Sequence, residues 1–194
     1  MADLIGAVFA PGALPGLAGE RADLFSNRNV ALDQVCGGLD NTLRDRLREV
    51  TSPIERLKML ETWLVANLAP RVEQTRFSVH PAVDFALRQF SWSSTVTSVA
   101  EVARNTGWSE RYFSQIFREQ VGFGPKVWCR IQRFQRALRQ LRAGAEIPLA
   151  TLAVNCAFYD QAHFANEFRS FSGIDVTTYA AMRHQLWTNH SRMK

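Results

Sequence analysis

A pattern that occurs twice decides the fold of this chain. Its first copy is SVAEVARNTGWSERYFSQIFREQVG at 98–122, and its second copy is LATLAVNCAFYDQAHFANEFRSFSG at 149–173. When the copies are aligned on Phe117 and Phe168, the aromatic pairs and the closing glycines coincide, while the turn in the middle is one residue longer in the second copy. The chain therefore contains an internal repeat of two short helices joined by a tight turn.

Each copy has the features of a helix-turn-helix unit, in which two helices cross steeply at a small residue. Ala103, like its counterpart in the second copy, lies four residues before the turn, and Gly107 supplies the positive φ that such a turn needs. Ser98 with Glu101 predicts a capping box for the first helix, and Ser109 is placed to cap the second helix.

The aromatic pairs indicate which face of each second helix, the recognition helix, points outward. Because the phenylalanines face the core, the opposite faces carry polar side chains able to hydrogen-bond with base edges in the major groove of DNA. These recognition helices are expected at about 109–121 and 160–171, and ordinary solvated helix faces are the alternative. The residues predicted to read bases are Arg111, Ser114, Gln115, Gln161, His163 and Asn166. Those predicted to contact the DNA backbone are Arg118, Arg130, Arg133, Arg136 and Arg169.

A long amphipathic helix is predicted between the two copies, from Pro125 to Leu141 and ending at Gly144. Its polar side carries an arginine at every third position from Arg130 to Arg142. Positive charge is concentrated in this half of the chain, since residues 1–94 hold ten basic and eleven acidic side chains and residues 95–194 hold thirteen and seven. This asymmetry favours a polyanion such as DNA, although a membrane surface or simple solubility is compatible with the same charge.

The N-terminal half is predicted to contain a short strand at 4–9, a turn-rich loop and a helical hairpin. The second helix of the hairpin is expected to start at Pro53, behind a cap at Ser52, and to stop before Pro70. A further helix is expected from about Pro81 to Phe90, with residues 91–94 as a linker. The apolar stripe that predicts the first helix of the hairpin is Leu39, Leu43, Leu47 and Val50.

The C-terminal half resembles the DNA-binding domain of AraC/XylS-type transcription regulators over roughly residues 80–187. The resemblance rests on Phe117, on the segment Gly122-Phe-Gly-Pro125-Lys-Val-Trp128, and on Asp160-Gln-Ala-His-Phe164. It implies that the two recognition helices enter consecutive major-groove segments of double-stranded DNA. It also implies that the predicted base-reading residues of each unit read one half-site. The N-terminus is a poor signal peptide and no stretch is long enough to cross a bilayer, so a cytoplasmic protein is expected, and contact with RNA polymerase as a further partner stays open.

Several positions depart from the pattern of that family. Gln115 and Asn166 occupy positions that are often Arg, which affects the preferred bases. Ala157 replaces the common turn glycine, and Val176 replaces the proline usual after the second closing glycine. The second unit is therefore expected to be less regular than the first or to bind DNA more weakly.

Residues 1–70 resemble, more faintly, the end of a β-barrel effector domain, with 6–12 as its last strand and exit loop. On this resemblance the earlier strands are absent, either because the product is truncated or because the true start lies upstream, and no effector ligand is expected. The predicted fold is mainly α: two helix-turn-helix subdomains joined by a long linker helix, preceded by a helical hairpin and a short β/coil remnant. The predicted domains are 1–35, 36–92 and 93–194.

Other classes of function find little support in the residues. Cys36, Cys129 and Cys156 lie in apolar helical patterns and lack the spacing of a disulfide framework or a zinc site. The sequence also has no GxSxG, HExxH or paired-carboxylate pattern and no stretch long enough to cross a bilayer, so no cofactor, metal, catalytic residue or membrane-spanning segment is expected. Two alternatives stay open: a helical protein-interaction module, and a methyl acceptor of the DNA-repair type, which needs an activated, exposed thiolate.

Overall fold

The computed structural model describes residues 5–36, 42–75, 77–92, 98–143 and 147–182. Within these ranges every regular element is helical and no strand is present, so the predicted mainly α fold is confirmed. No helix of the described ranges is both long and apolar enough to cross a membrane. The chain divides into two compact units, Met1–Leu87 with Ala103–Pro125, and Arg88–Val102 with Lys126–Lys194. The predicted domain boundaries stay a prediction.

The first unit holds the N-terminal helices and the first recognition helix. The elements with residues in this unit are α1 (Leu14–Ala18), the 3-10 helix (Ala22–Phe25), α2 (Leu32–Cys36), α3 (Thr42–Glu49), α4 (Pro53–Thr75), α5 (Pro81–Trp92), α6 (Val99–Asn105) and α7 (Glu110–Val121). Helix α1 packs against α2, α4 and α7, and α3 packs against α4 as the predicted hairpin. The 3-10 helix packs against α7.

The predicted strand at 4–9 is wrong for residues 5–9, which form no regular element. A lone strand leaves its backbone N–H and C=O groups without ladder partners, and the Val8 side chain is fully exposed. The chain becomes helical at Leu14, with Pro15 in the first turn, where its missing N–H costs nothing. Gly16 allows a close approach, because a Cβ there would lie 2.9 Å from Cδ1 of Phe77.

Helix α4 continues through Pro70 to Thr75, so its predicted end before this proline is wrong. Proline removes one helical hydrogen bond and usually ends or kinks a helix. Here tertiary contacts hold the helix on both sides: Leu68 is buried with Leu17, and the Thr75 hydroxyl donates to the Gly16 carbonyl at 3.4 Å. Packing therefore overrides the local preference.

The end of α5 differs from its prediction, and the start of α4 agrees with its prediction. Helix α5 includes residues 91 and 92, which were expected to be linker. Helix α4 begins at Pro53, and the Ser52 hydroxyl accepts a hydrogen bond from the Glu55 N–H at 3.4 Å, as predicted. The predicted positions Leu39, Ser93, Ser94 and Gly144 lie outside the described residues.

The second unit is built on the long helix α8 (Pro125–Arg142), which confirms the predicted linker helix. It also contains α9 (Leu149–Asn155), α10 (Gln161–Ser172) and a helical segment at 176–182. The ring of Phe134 on α8 lies 5.3 Å from the ring of Phe168 on α10, and Val176 is buried in the same core. Helix α8 thus supports the second recognition helix.

Candidate nucleic-acid interface

The turns of the two repeats share a left-handed residue and one hydrogen bond, although their residues differ. Gly107 has φ 76° and Ala157 has φ 61°, so both lie in the left-handed region. In each turn the next residue donates its N–H to a carbonyl five residues back, a bond typical of a helix end. These bonds are Trp108 N–H to Ala103 C=O at 3.3 Å and Phe158 N–H to Ala153 C=O at 2.9 Å. The helices α6 and α9 therefore end alike, even though alanine replaces glycine.

Both recognition helices start at a side-chain cap and end at a left-handed glycine. The hydroxyl of Ser109 accepts from the Tyr112 N–H at 3.3 Å, and the carboxylate of Asp160 accepts from the His163 N–H at 2.6 Å. The closing residues are Gly122, with φ 93°, and Gly173, with φ 76°. Four residues, 106–109, separate α6 from α7, and five, 156–160, separate α9 from α10, which confirms the longer second turn.

Buried aromatic pairs determine how each recognition helix is rotated about its own axis. The rings of Phe113 and Phe117 are 5.8 Å apart, and those of Phe164 and Phe168 are also 5.8 Å apart. All four side chains are fully buried. Because the two members of each pair are four residues apart, they lie on one helix face, and the opposite face of the helix is directed to solvent.

The residues of α7 that were predicted to contact DNA lie together on this outward face. Arg111, Gln115 and Arg118 are exposed, and Ser114 is half-buried. They line a surface groove of about 380 Å³, whose other walls come from Arg21, Asp23 and Glu119. Among the described residues, Arg111 forms no ion pair, so its guanidinium donors are available to an acceptor on a ligand.

The residues of α10 that were predicted to read bases differ in exposure. Gln161, the first residue of the helix, and Asn166 are exposed. His163 is half-buried, its Nδ1 accepts a hydrogen bond from the Tyr159 N–H at 3.2 Å, and its ring lies edge-on to Phe158 at 5.6 Å. In the neutral ring this arrangement leaves Nε2–H as a donor for a base or a phosphate.

Arg130, which was predicted to contact the DNA backbone, forms an ion pair within the second unit. Its guanidinium donates from Nε and NH2 to the two carboxylate oxygens of Glu167, at 2.8 and 2.9 Å, and lies over the Phe171 ring at 5.3 Å. This ion pair lowers the pKa of Glu167. One edge and one face of the guanidinium are thus occupied within the second unit, so Arg130 supports α10, and its contact to the DNA backbone stays a prediction.

The other predicted backbone arginines differ in exposure. Arg118 and Arg169 are exposed, whereas Arg133 and Arg136 are half-buried. The Arg133 guanidinium lies 5.7 Å from the centre of the Phe158 ring, a cation–π contact that fixes it near the turn of the second unit. Arg118 and Arg169 are thus the predicted backbone contacts that are most accessible.

Several residues at this candidate interface were not predicted from the sequence. Glu119 accepts a hydrogen bond from Gln115 at 3.1 Å, and its spacing of four residues on a helix is a signal that could have been used. Arg21 and Asp23 reach the same groove from a segment about ninety residues earlier, for which no sequence signal exists. Tyr159, beside the cap of α10, is 90% exposed and was also missed.

Burial makes the described cysteines poor nucleophiles. It raises the pKa of Cys129 to about 11 and also raises the pKa of Cys156. A methyl acceptor attacks as a thiolate, which is scarce when the pKa lies well above the pH. These two thiols therefore do not fit the methyl-acceptor alternative.

Two helix pairs with matched turns, caps and aromatic anchors define a tandem helix-turn-helix domain. Residues 102–182 match the family described as "Helix-turn-helix domain". Over these residues the chain is similar to that family, and the predicted resemblance to the AraC/XylS-type domain is confirmed.

Two known proteins with similar sequences are arabinose operon regulatory proteins. The chain is 28% identical over 120 residues to the arabinose operon regulatory protein of Escherichia coli K12, which covers 59% of this chain and 41% of that protein. It is 28% identical over 136 residues to the protein of the same name from Salmonella typhimurium LT2, covering 67% of this chain and 47% of that protein. The matches thus span less than half the length of these relatives.

A solved structure is similar in fold. The C-terminal domain of AraT, a response regulator from Geobacillus stearothermophilus, aligns with a TM-score of 0.51 at 19% identity, covering 55% of this chain and 88% of that domain. At this identity the likeness concerns the fold, which agrees with the helical arrangement of the C-terminal half.

Proposed function

We propose that this protein binds double-stranded DNA at specific sequences through α7 and α10 and thereby regulates transcription. The observation that carries the proposal is the outward polar face of each recognition helix, which the buried phenylalanine pairs hold in a fixed rotation. Arginine, glutamine and asparagine on such a face match the donors and acceptors of base edges in the major groove. The similarity to operon regulators supports the same proposal.

In this proposal the two recognition helices read two separate blocks of bases. Arg111, Ser114 and Gln115 read the first block, and Gln161, His163 and Asn166 read the second. Arg118 and Arg169 contact phosphates, with Arg133 and Arg136 adding positive charge from α8. Contact with RNA polymerase is a further part of the proposal that belongs to the regulation of transcription rather than to the binding of DNA.

In vitro selection of duplexes bound by the full chain tests the proposal. We expect enrichment of one sequence with two blocks of preferred bases, about one helical turn apart. The double variant Gln115→Ala with Asn166→Ala is selected in parallel. It should lose its base preference in both blocks while retaining weak binding to any duplex.

A salt titration separates this function from a helical protein-interaction module. Affinity for DNA should fall steeply as salt rises, because each phosphate neutralised by Lys or Arg releases counterions. Equal affinity for all duplexes, or a flat response to salt, would count against the proposal.

A further inference from the structure

The strongest unexplained feature is a segment from the N-terminal part of the chain that lies on the first recognition helix. The 3-10 helix Ala22–Phe25 packs against α7, and Ala22 is buried. The Ser26 hydroxyl donates to the Gly122 carbonyl at the end of α7. Gly122 suits this position, since its φ of 93° favours glycine and a Cβ there would lie 3.2 Å from Ser26 Oγ. The segment is therefore attached where α7 ends.

From this attachment a chain of polar contacts leads to a predicted base-reading residue. The Arg21 guanidinium donates to both carboxylate oxygens of Asp23, at 3.0 and 2.7 Å, which fixes its orientation. Its NH1 then lies 3.3 Å from Oε1 of Glu119. The same Oε1 accepts a hydrogen bond from Nε2 of Gln115 at 3.1 Å. Glu119 thus has two donors, one from the N-terminal segment and one from the recognition helix.

The contact with Glu119 determines what the Gln115 amide presents to a ligand. A carboxylate accepts and does not donate, so the amide must turn its NH2 group toward Glu119, and the reverse orientation would set two acceptors against each other. One N–H is used in this way. The carbonyl oxygen and the second N–H remain, and this acceptor–donor pair is the one that glutamine uses to bind N6 and N7 of adenine.

We propose that Glu119, held by Arg21, is a positioning residue that makes Gln115 select adenine. The inference rests on the proposed function and adds to it that a segment outside the helix-turn-helix domain sets the specificity of α7. Glu119 does not need to touch DNA for this role. Its effect passes through the orientation of one amide group.

Selection experiments with single variants test the inference. Gln115→Ala first identifies the base pair that Gln115 reads, and the wild-type chain should prefer adenine there by roughly ten-fold, as for a two-point contact to a base. Glu119→Gln, which has nearly the same shape but can also donate, should let the amide turn and reduce the preference below about three-fold. The ratio of bases at one position is the readout, because it cancels any uniform change in affinity from the altered charge.

Variants of Arg21 test whether its ion pair with Glu119 is needed for the adenine preference. Arg21→Ala should weaken the adenine preference, and Arg21→Lys should retain it, because a lysine ammonium can still pair with Glu119. Arg28→Ala is the matched control, since it removes a positive charge from the neighbouring part of the chain, where Arg28 bonds the Leu24 carbonyl. It should leave the preference unchanged.

The outcomes distinguish this inference from the proposed function. If the wild-type chain selects no sequence, the proposed function fails. If it selects a sequence but Glu119→Gln keeps the same base ratio at the Gln115 position, the inference alone fails. A preferred base other than adenine at that position, or a gain in affinity for all duplexes with no change in ratio, also overturns it.

Discussion

Arg130 and Glu167 form a two-point ion pair that joins α8 to α10, with Nε to Oε2 at 2.8 Å and NH2 to Oε1 at 2.9 Å. The Glu167 side chain is 15% exposed, and the Arg130 side chain is 40% exposed. The pair is therefore partly shielded, and its geometry is the strong, two-point form of an arginine–carboxylate contact. It fixes the second recognition helix on its supporting helix.

Glu167→Gln should lower the free energy of unfolding by about 1–2 kcal/mol at neutral pH, because the Arg130 guanidinium loses its charged partner and the glutamine amide has only one oxygen to accept its two hydrogen bonds. The pKa of Glu167 is lowered in the folded state, chiefly by the hydrogen bonds from Arg130. The contribution is therefore complete above the unfolded pKa of 4.5 and is lost as the pH falls through the lower folded value. Denaturant unfolding of both proteins at several pH values measures the difference, and a difference that persists unchanged at strongly acidic pH would contradict this role.

Ala157→Gly should raise the free energy of unfolding by about 0.5–1 kcal/mol. Ala157 has φ 61°, where a Cβ is unfavourable by about 1–2 kcal/mol, and part of the gain is offset by the greater freedom of glycine in the unfolded chain. Gly107→Ala is the matched control and should destabilise by a similar or larger amount. Since nothing lies within 4 Å of a Cβ built on Gly107, its effect reports the backbone alone. Thermal unfolding measures both, and destabilisation by Ala157→Gly would show that the alanine methyl matters more than φ.

Arg111→Ala should relax sequence preference at one base pair and cost about 1–3 kcal/mol of discrimination there. The exposed guanidinium in the groove of α7 is the reason for this expectation. Gln161→Ala should have the same kind of effect in the other block. Competition binding with duplexes that vary at each position measures the change, and an unaltered preference profile for either variant would remove that residue from the reading face.

Arg169→Ala should weaken binding to all duplexes alike and reduce the slope of log affinity against log salt by about one. Arg169 is exposed in the last turn of α10, where it can reach phosphate without reading a base. Arg48→Ala on α3 is the control, since it removes an equally charged and exposed side chain far along the chain. A change in base preference for Arg169→Ala, or an equal loss in the control, would argue against a phosphate contact.

The repeat itself was predictable because every part of it has a local cause. Caps, turns and paired phenylalanines act over four or five residues, and these distances can be read directly from the sequence. The left-handed turn at Ala157 shows the limit of this reasoning, since the family pattern predicts an irregular unit, whereas Ala157 adopts the left-handed conformation between the buried Cys156 and Phe158. Pro70 shows the same limit, because buried Leu68 keeps α4 continuous beyond the predicted stop.

The remaining parts of the site depend on contacts between distant segments. Nothing in the local sequence around Arg21 indicates that it lies beside Glu119, because the approach is determined by the packing of the 3-10 helix on α7. The pairing of Arg130 with Glu167 is similar, since a regular series of arginines does not reveal which member is taken up by an internal partner.

The hydrogen bond from Ser26 to Gly122 joins positions 96 residues apart, and this separation matters during synthesis of the protein. At a typical rate of about 5–20 residues per second, the ribosome needs roughly 5–20 seconds after making Ser26 to reach the end of α7. During that interval Ala22 has no α7 to pack against. The N-terminal segment thus leaves the ribosome early but completes its fold late, together with the first recognition helix.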